Sequence, residues 1–160
     1  MQGGFFSYAL LGALAIALLF AAFTDLRRRR IDNWLTAAIA LGAPLFWLAS
    51  GTSLLDVGFQ FALAAITFIF MAALFAMRGM GGGDVKLLTA IALWIPPIPY
   101  VTLLIVMAVA GALVSIAAVA WHVGRRREGR TQVPYGIAIS AAGLWVLATH
   151  YLPGMQAILR

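Results

Sequence analysis

The stretch ALWIPPIPYVT, Ala92–Thr102, lies inside the longest run of the chain without Asp, Glu, Lys or Arg, residues 87–124. Uninterrupted, those 38 residues would form one over-long apolar helix. Proline lacks a backbone N–H and disfavours helix in the residue before it. IPPIP (Ile95–Pro99) therefore predicts a turn between two separate spans. Four other uncharged runs, residues 1–24, 33–55, 57–77 and 131–159, each suit one crossing, because about 20 apolar residues cover the hydrocarbon of a bilayer. The total is six.

Composition agrees. The chain has 160 residues, 64% hydrophobic and 10% charged, against about 25% charged in a soluble domain. The expected fold class is an all-α integral membrane protein with six transmembrane helices. The expected organisation is one domain, residues 1–160, with spans at about 5–23, 34–50, 57–77, 84–95, 99–121 and 135–152. The net charge is +6, from 11 basic and 5 acidic residues. In a soluble protein that excess would point to nucleic acid. Here the basic residues stand between apolar runs, so they read as topology and no nucleic-acid partner is expected. The absence of cysteine excludes disulfides, cysteine-ligated zinc and thiol nucleophiles. The first apolar run lacks a basic n-region and its arginines follow it, the pattern of a retained helix rather than a cleaved leader.

With the IPPIP turn in place, the loops alternate. DLRRRRIDN, RGMGGGDVK and GRRREGRTQ fall on one side, SGTSLLD and IPPIP on the other, and ten of the eleven Lys and Arg residues lie on the first side. Lys and Arg collect in the cytoplasm. The three basic loops are therefore expected to be cytoplasmic and both termini outside, in a multi-pass protein of the cell's inner membrane.

Charge is costly in a membrane, so its location is informative. Of the five acids, Asp56 reads as a solvated outer loop residue and Glu128 as a partner for the arginines around it. Asp32 and Asn33 read as the N-cap of the second span. Asp25 and Asp84 differ. Asp25 closes the first span after AAFT, and Asp84 opens the fourth after three glycines. Gly83–Ile95 is only 13 residues, about 20 Å of helix. Such a helix starts below the cytoplasmic surface, which places Asp84 at the depth of Asp25. Two neighbouring carboxylates cannot both ionise freely and so share a proton, which suits acid–base hydrolysis of a peptide bond. On helix ends alone, Asp84 at a positive N-terminal end is the ionised base and Asp25 at a negative C-terminal end the protonated acid. The alternative is that each carboxylate pairs with a basic neighbour, Asp25 with Arg28 or Arg29 and Asp84 with Lys86 or Arg78.

The glycines Gly81, Gly82 and Gly83 permit φ > 0 and close backbone approach, so an extended substrate is expected to lie against them. The segment is no phosphate loop: GMGGGDVK lacks the G-K-[ST] ending, and Asp84 stands where G-x-G-x-x-G would have its last glycine.

At these residues the chain resembles the type IV prepilin peptidases, membrane aspartyl proteases with a GxGD motif. The motif here is Gly81-Gly82-Gly83-Asp84, followed by VKLLTAIALW, which is also similar to that family. TDLRRRRIDN resembles the family's segment around its other aspartate, with Asp32 in place of the usual proline, and VPYG (Val133–Gly136) resembles the element opening its last helix. The resemblance implies Asp25 and Asp84 as catalytic residues, substrate contacts at Gly81, Gly82, Gly83 and Lys86, and no metal or cofactor. It implies a prepilin or pseudopilin substrate with a basic leader, a glycine before the cut and an apolar helix after it, cleaved at the cytoplasmic membrane face. The larger members' cytoplasmic insert and zinc-binding cysteines are missing, as in the short form similar to peptidases serving Tad/Flp pili or pseudopilins. Arg27–Arg30 would repel a basic leader and read as contacts to anionic lipid of the bilayer.

Other classes remain open on residues alone. A small membrane transporter or proton-conducting protein would want ionisable groups near midspan, and none is present apart from the aspartates at the cytoplasmic ends. His122 and His150 stand near span ends. A non-catalytic membrane scaffold would be indifferent to loss of either aspartate. A divalent ion held by two carboxylates without His or Cys would be poorly ligated.

Overall fold

The computed structural model describes residues 4–123, 135–151 and 153. Six α-helices follow in order: α1 Phe5–Arg28, α2 Asn33–Ser50, α3 Leu54–Ala76, α4 Gly82–Ala92, α5 Pro97–Val123 and α6 Tyr135–Val146. The last runs on as a π-helical turn, Leu147–Tyr151. Among the described residues, α1, α2 and α3 are long and apolar enough to cross a bilayer. α4 and α6 have 11 and 12 residues, fewer than a crossing needs.

The break in the long apolar run lies slightly earlier than IPPIP suggests. α4 ends at Ala92, and α5 begins at Pro97. Pro97 and Pro99 are thus in the first turn of α5, where a missing N–H costs nothing because that N–H has no helical acceptor. Asp32 is the N-cap of α2 by position, its carbonyl accepting from Leu35 and Thr36, but its side chain makes no capping bond. Asp56 is exposed, as expected, yet it belongs to the first turn of α3 rather than to a loop. Ser53 caps that turn: its hydroxyl accepts from the Asp56 N–H and donates to Asp56 Oδ2. Glu128 and its neighbouring arginines lie outside the described residues, as does the His122 side chain; His150 is exposed on the π-helical turn.

α4 is the centre of the molecule. It packs on α2, α3 and α6, while α1 lies between α2 and α6 and α5 lies along α6. Leu87, Leu88, Ile91 and Ile95 are fully buried. By contrast α3 exposes Phe59, Phe61, Ile66, Phe68, Ile69 and Phe70, the outward apolar surface of a helix that meets lipid. α2 and α3 meet near their connecting turn, where Trp47 and Phe61 pack edge-on at 5.2 Å.

A helix that stops inside the protein leaves carbonyls without partners, which is costly away from water. Aromatic donors meet that need at the end of α4. Trp47 Nε1 donates to the Leu93 carbonyl at 2.9 Å, and the Tyr151 hydroxyl donates to the Trp94 carbonyl at 3.1 Å. Tyr100 donates to the Leu88 carbonyl at 3.2 Å. Trp94 returns a bond to α2, its Nε1 donating to the Ile39 carbonyl at 2.8 Å. Its ring fits because residue 42 is glycine: a β-carbon there would stand 2.8 Å from Trp94 Cζ2. These bonds fix how far α4 is inserted, and so where its other end, Asp84, lies.

Candidate active site

Asp25 stands in the last turn of α1. The helix is closed by Arg29, in the left-handed region at φ 51, whose N–H donates to the Asp25 carbonyl at 2.8 Å. The Asp25 side chain points inward and is 6% exposed. The first turn of α6 covers it. The N–H groups of Gly136 and Ile137 face the carboxylate as donors, while Oδ2 itself is buried without a hydrogen-bond partner among the described residues.

Asp84 is the third residue of α4 and 8% exposed. Its Oδ2 accepts from the Gly81 N–H at 3.3 Å, the returning half of a capping box. Asp25 and Asp84 both line one cavity of 580 Å³, together with Arg29, Arg30, Asn33, the three glycines, Lys86 and a wall of Phe68, Ala72 and Phe75 from α3. Asp84 lies within electrostatic reach of Asp25.

The pairing alternatives do not form. Among the described residues neither aspartate makes an ion pair with Arg28, Arg29, Arg78 or Lys86. Arg29 is close enough to act on Asp25 through space, whereas Lys86 donates to Asn33 Oδ1 at 2.9 Å. Among the described residues no three His, Cys, Asp or Glu side chains gather as a metal site would require. The cavity therefore holds two buried carboxylates near each other and a rim of cations partnered elsewhere or facing water.

All four expected substrate contacts, Gly81, Gly82, Gly83 and Lys86, line this cavity. The glycines are there for a different reason than backbone freedom. Gly81 has φ −76, and Gly82 and Gly83 are already in α4; Gly51 is the positive-φ glycine of the described residues. What the glycines share is close approach. A β-carbon on Gly81 would stand 2.8 Å from Asp84 Oδ2, on Gly82 3.3 Å from the Phe75 ring, and on Gly83 3.1 Å from Ile31 Cβ. They let the start of α4 sink between α2 and α3.

The profile of the type IV leader peptidase family matches residues 12–116, a stretch containing both aspartates and the glycines. The chain belongs to that family. No curated protein and no solved structure matches it. The match ends before α6, so it does not reach the turn that covers Asp25 in this peptidase.

Gly136 and the α3 wall are the parts of the candidate site that sequence reading did not assign. The wall has a signal in hindsight, since Phe68, Ala72 and Phe75 follow the i, i+4, i+7 spacing of one helix face. Gly136 has only its place in VPYG. The helix-end comparison of the two aspartates also changes. An N-terminal turn faces Asp25 as well as Asp84, so helix ends do not divide the two into acid and base.

Proposed function

We propose that the protein is an aspartic endopeptidase in which Asp25 and Asp84 are the catalytic pair. One observation carries this reading: the two carboxylates, 59 positions apart in the chain, are brought by separate helices to the wall of one cavity, and among the described residues neither is spent on an ion pair. In the reaction, the ionised member takes a proton from a water molecule whose oxygen attacks the scissile carbonyl carbon. The protonated member donates to the carbonyl oxygen. The tetrahedral intermediate then collapses, the C–N bond breaks, and the amine leaves with a proton returned by the pair.

The substrate in this reading is a prepilin or pseudopilin, cut after a glycine beside its apolar helix. The cavity supports it, having apolar α3 residues on one side and polar backbone with carboxylates on the other. The basic loops support a cytoplasm-facing site in an inner-membrane protein, with the three described apolar helices spanning the bilayer. The test is cleavage of a tagged prepilin by purified protein in detergent, with and without a chelator. Cleavage that survives chelation and is lost in Asp25→Asn and Asp84→Asn supports the reading. Cleavage lost to chelator points to a metal enzyme instead, and no cleavage of any prepilin removes the substrate assignment.

A further inference from the structure

We propose that Gly136 is a positioning residue for Asp25: its missing β-carbon lets the first turn of α6 close on the carboxylate and hold it toward Asp84. The proposal rests on the peptidase reading for its activity readout, and on geometry for the rest.

A β-carbon at residue 136 would stand 2.7 Å from Asp25 Oδ2, 2.8 Å from Cγ and 3.0 Å from Cβ. Rotating the carboxyl about its last bond moves Oδ2 but leaves Cγ in place. Turning the side chain at χ1 moves Cγ but leaves Cβ, which is fixed by the α1 backbone. χ1 has few alternatives in a helix, and each of them carries the carboxylate away from its present position on the cavity wall. An added methyl group must therefore separate α1 from α6 or drive the carboxylate off its place. Hydrogen bonding alone does not secure that place, because Oδ2 is buried with no partner among the described residues. Contact with residue 136 fixes it from one side.

Gly143, two turns further along α6, provides a comparison on the same helix pair. A β-carbon there would meet Leu18 Cδ1 at 2.8 Å, with the next atoms of that side chain at 3.8 and 3.9 Å. Gly143→Ala therefore strains α1–α6 packing without touching a carboxylate.

The experiment uses the full-length protein in detergent and measures prepilin cleavage and thermal unfolding. Gly136→Ala is expected to lower kcat by roughly 10²-fold, the scale of an ångström-sized misplacement, with KM little changed. Gly143→Ala is expected to lower the unfolding temperature while keeping kcat within a few-fold of wild type. The stability cost of Gly136→Ala is also measured in an Asp25→Ala background, where it is expected to shrink because the two closest atoms, Oδ2 and Cγ, are gone and only the Cβ contact at 3.0 Å remains. Equal kcat losses in both glycine variants, a wild-type kcat in Gly136→Ala, or the same stability cost with and without the Asp25 carboxylate would each overturn the proposal. If Gly136→Ala fails to fold on its own, folding of Asp25→Gly/Gly136→Ala, in which the Asp25 β-carbon at 3.0 Å is removed as well, supports the collision and failure to fold overturns it. If wild type cleaves no prepilin, the peptidase reading fails separately, and the stability comparison still decides whether Gly136 holds Asp25.

Discussion

The Gly81 N–H donates to Asp84 Oδ2 at 3.3 Å, and a β-carbon on Gly81 would come within 2.8 Å of the same oxygen. Each aspartate thus has a glycine against its carboxyl group, Gly81 at the start of α4 and Gly136 at the start of α6. The two contacts differ in severity. At Gly81 the next atom, Asp84 Cγ, is 3.7 Å away, so rotation of the carboxyl group relieves most of the clash.

Gly81→Ala is therefore predicted to lower kcat by up to about tenfold, because the rotation gives up the Gly81 N–H bond to Oδ2, a loss of about 0.5–1.5 kcal/mol. The effect should be smaller than that of Gly136→Ala. Steady-state cleavage of a prepilin by the two variants checks the ranking. A Gly81→Ala enzyme slower than Gly136→Ala would mean that residue 81 does more than make room.

The aromatic donors at the end of α4 give a stability prediction. Trp47→Phe and Tyr151→Phe each leave a buried carbonyl, of Leu93 and Trp94 respectively, without its donor. Each should cost about 1–3 kcal/mol, seen as a lower unfolding temperature in detergent. Tyr100→Phe removes the donor to Leu88, whose carbonyl lies within the helix, and should cost less. Equal losses in all three would show that the rings act by packing alone.

How much of this was legible in the chain follows from the range of each interaction. Charge spacing located α1, α2 and α3, because a charged group is costly in apolar surroundings, but not their ends: α1 runs on through Asp25 to Arg28, and α3 takes Asp56 into its first turn. That a short helix follows GGGD was legible from the prolines after it, and Asp25 and Asp84 stood out because no neighbour in sequence explained them. What the sequence did not disclose depends on contacts between distant segments. The pairing of Gly136 with Asp25 joins α6 to α1, and nothing local in VPYG reveals it. The glycines before Asp84 look flexible as a string, yet in the fold they are a close-packed helix start. Helix ends in the sequence suggested unlike environments for the aspartates; the α6 turn over Asp25 removes the contrast.

The paired carboxylates lead to a prediction about additivity. Asp25→Asn and Asp84→Asn are each expected to reduce cleavage by about 10⁴-fold or more, and the double variant should be no slower than the worse single one, because members of one catalytic unit do not contribute independently. The near-isosteric amides keep the packing, so unfolding temperatures should stay close to wild type or rise as a buried carboxyl is replaced. Multiplying losses in the double variant, or near-normal cleavage in either single one, would exclude a shared proton-transfer role.

α4 has only 11 residues, about 16 Å of helix. For the basic loops to share one side, this short helix and the turn after it must carry the chain from the cytoplasmic face to the outer one. The protein lends itself to a direct test, since it has no cysteine and any introduced thiol is labelled without background. Leu54 at the start of α3 and Ile98 at the start of α5 are 91% and 84% exposed, and Gly79 is exposed between α3 and α4. A membrane-impermeant maleimide applied outside the inner membrane should label Leu54→Cys and Ile98→Cys in intact spheroplasts. Gly79→Cys should react only after the membrane is opened. Labelling of Gly79→Cys and Ile98→Cys from the same side would show that α4 does not complete a crossing. The basic loops would then be divided between the two faces, and the cavity holding Asp25 and Asp84 could no longer be assigned to the cytoplasm on charge.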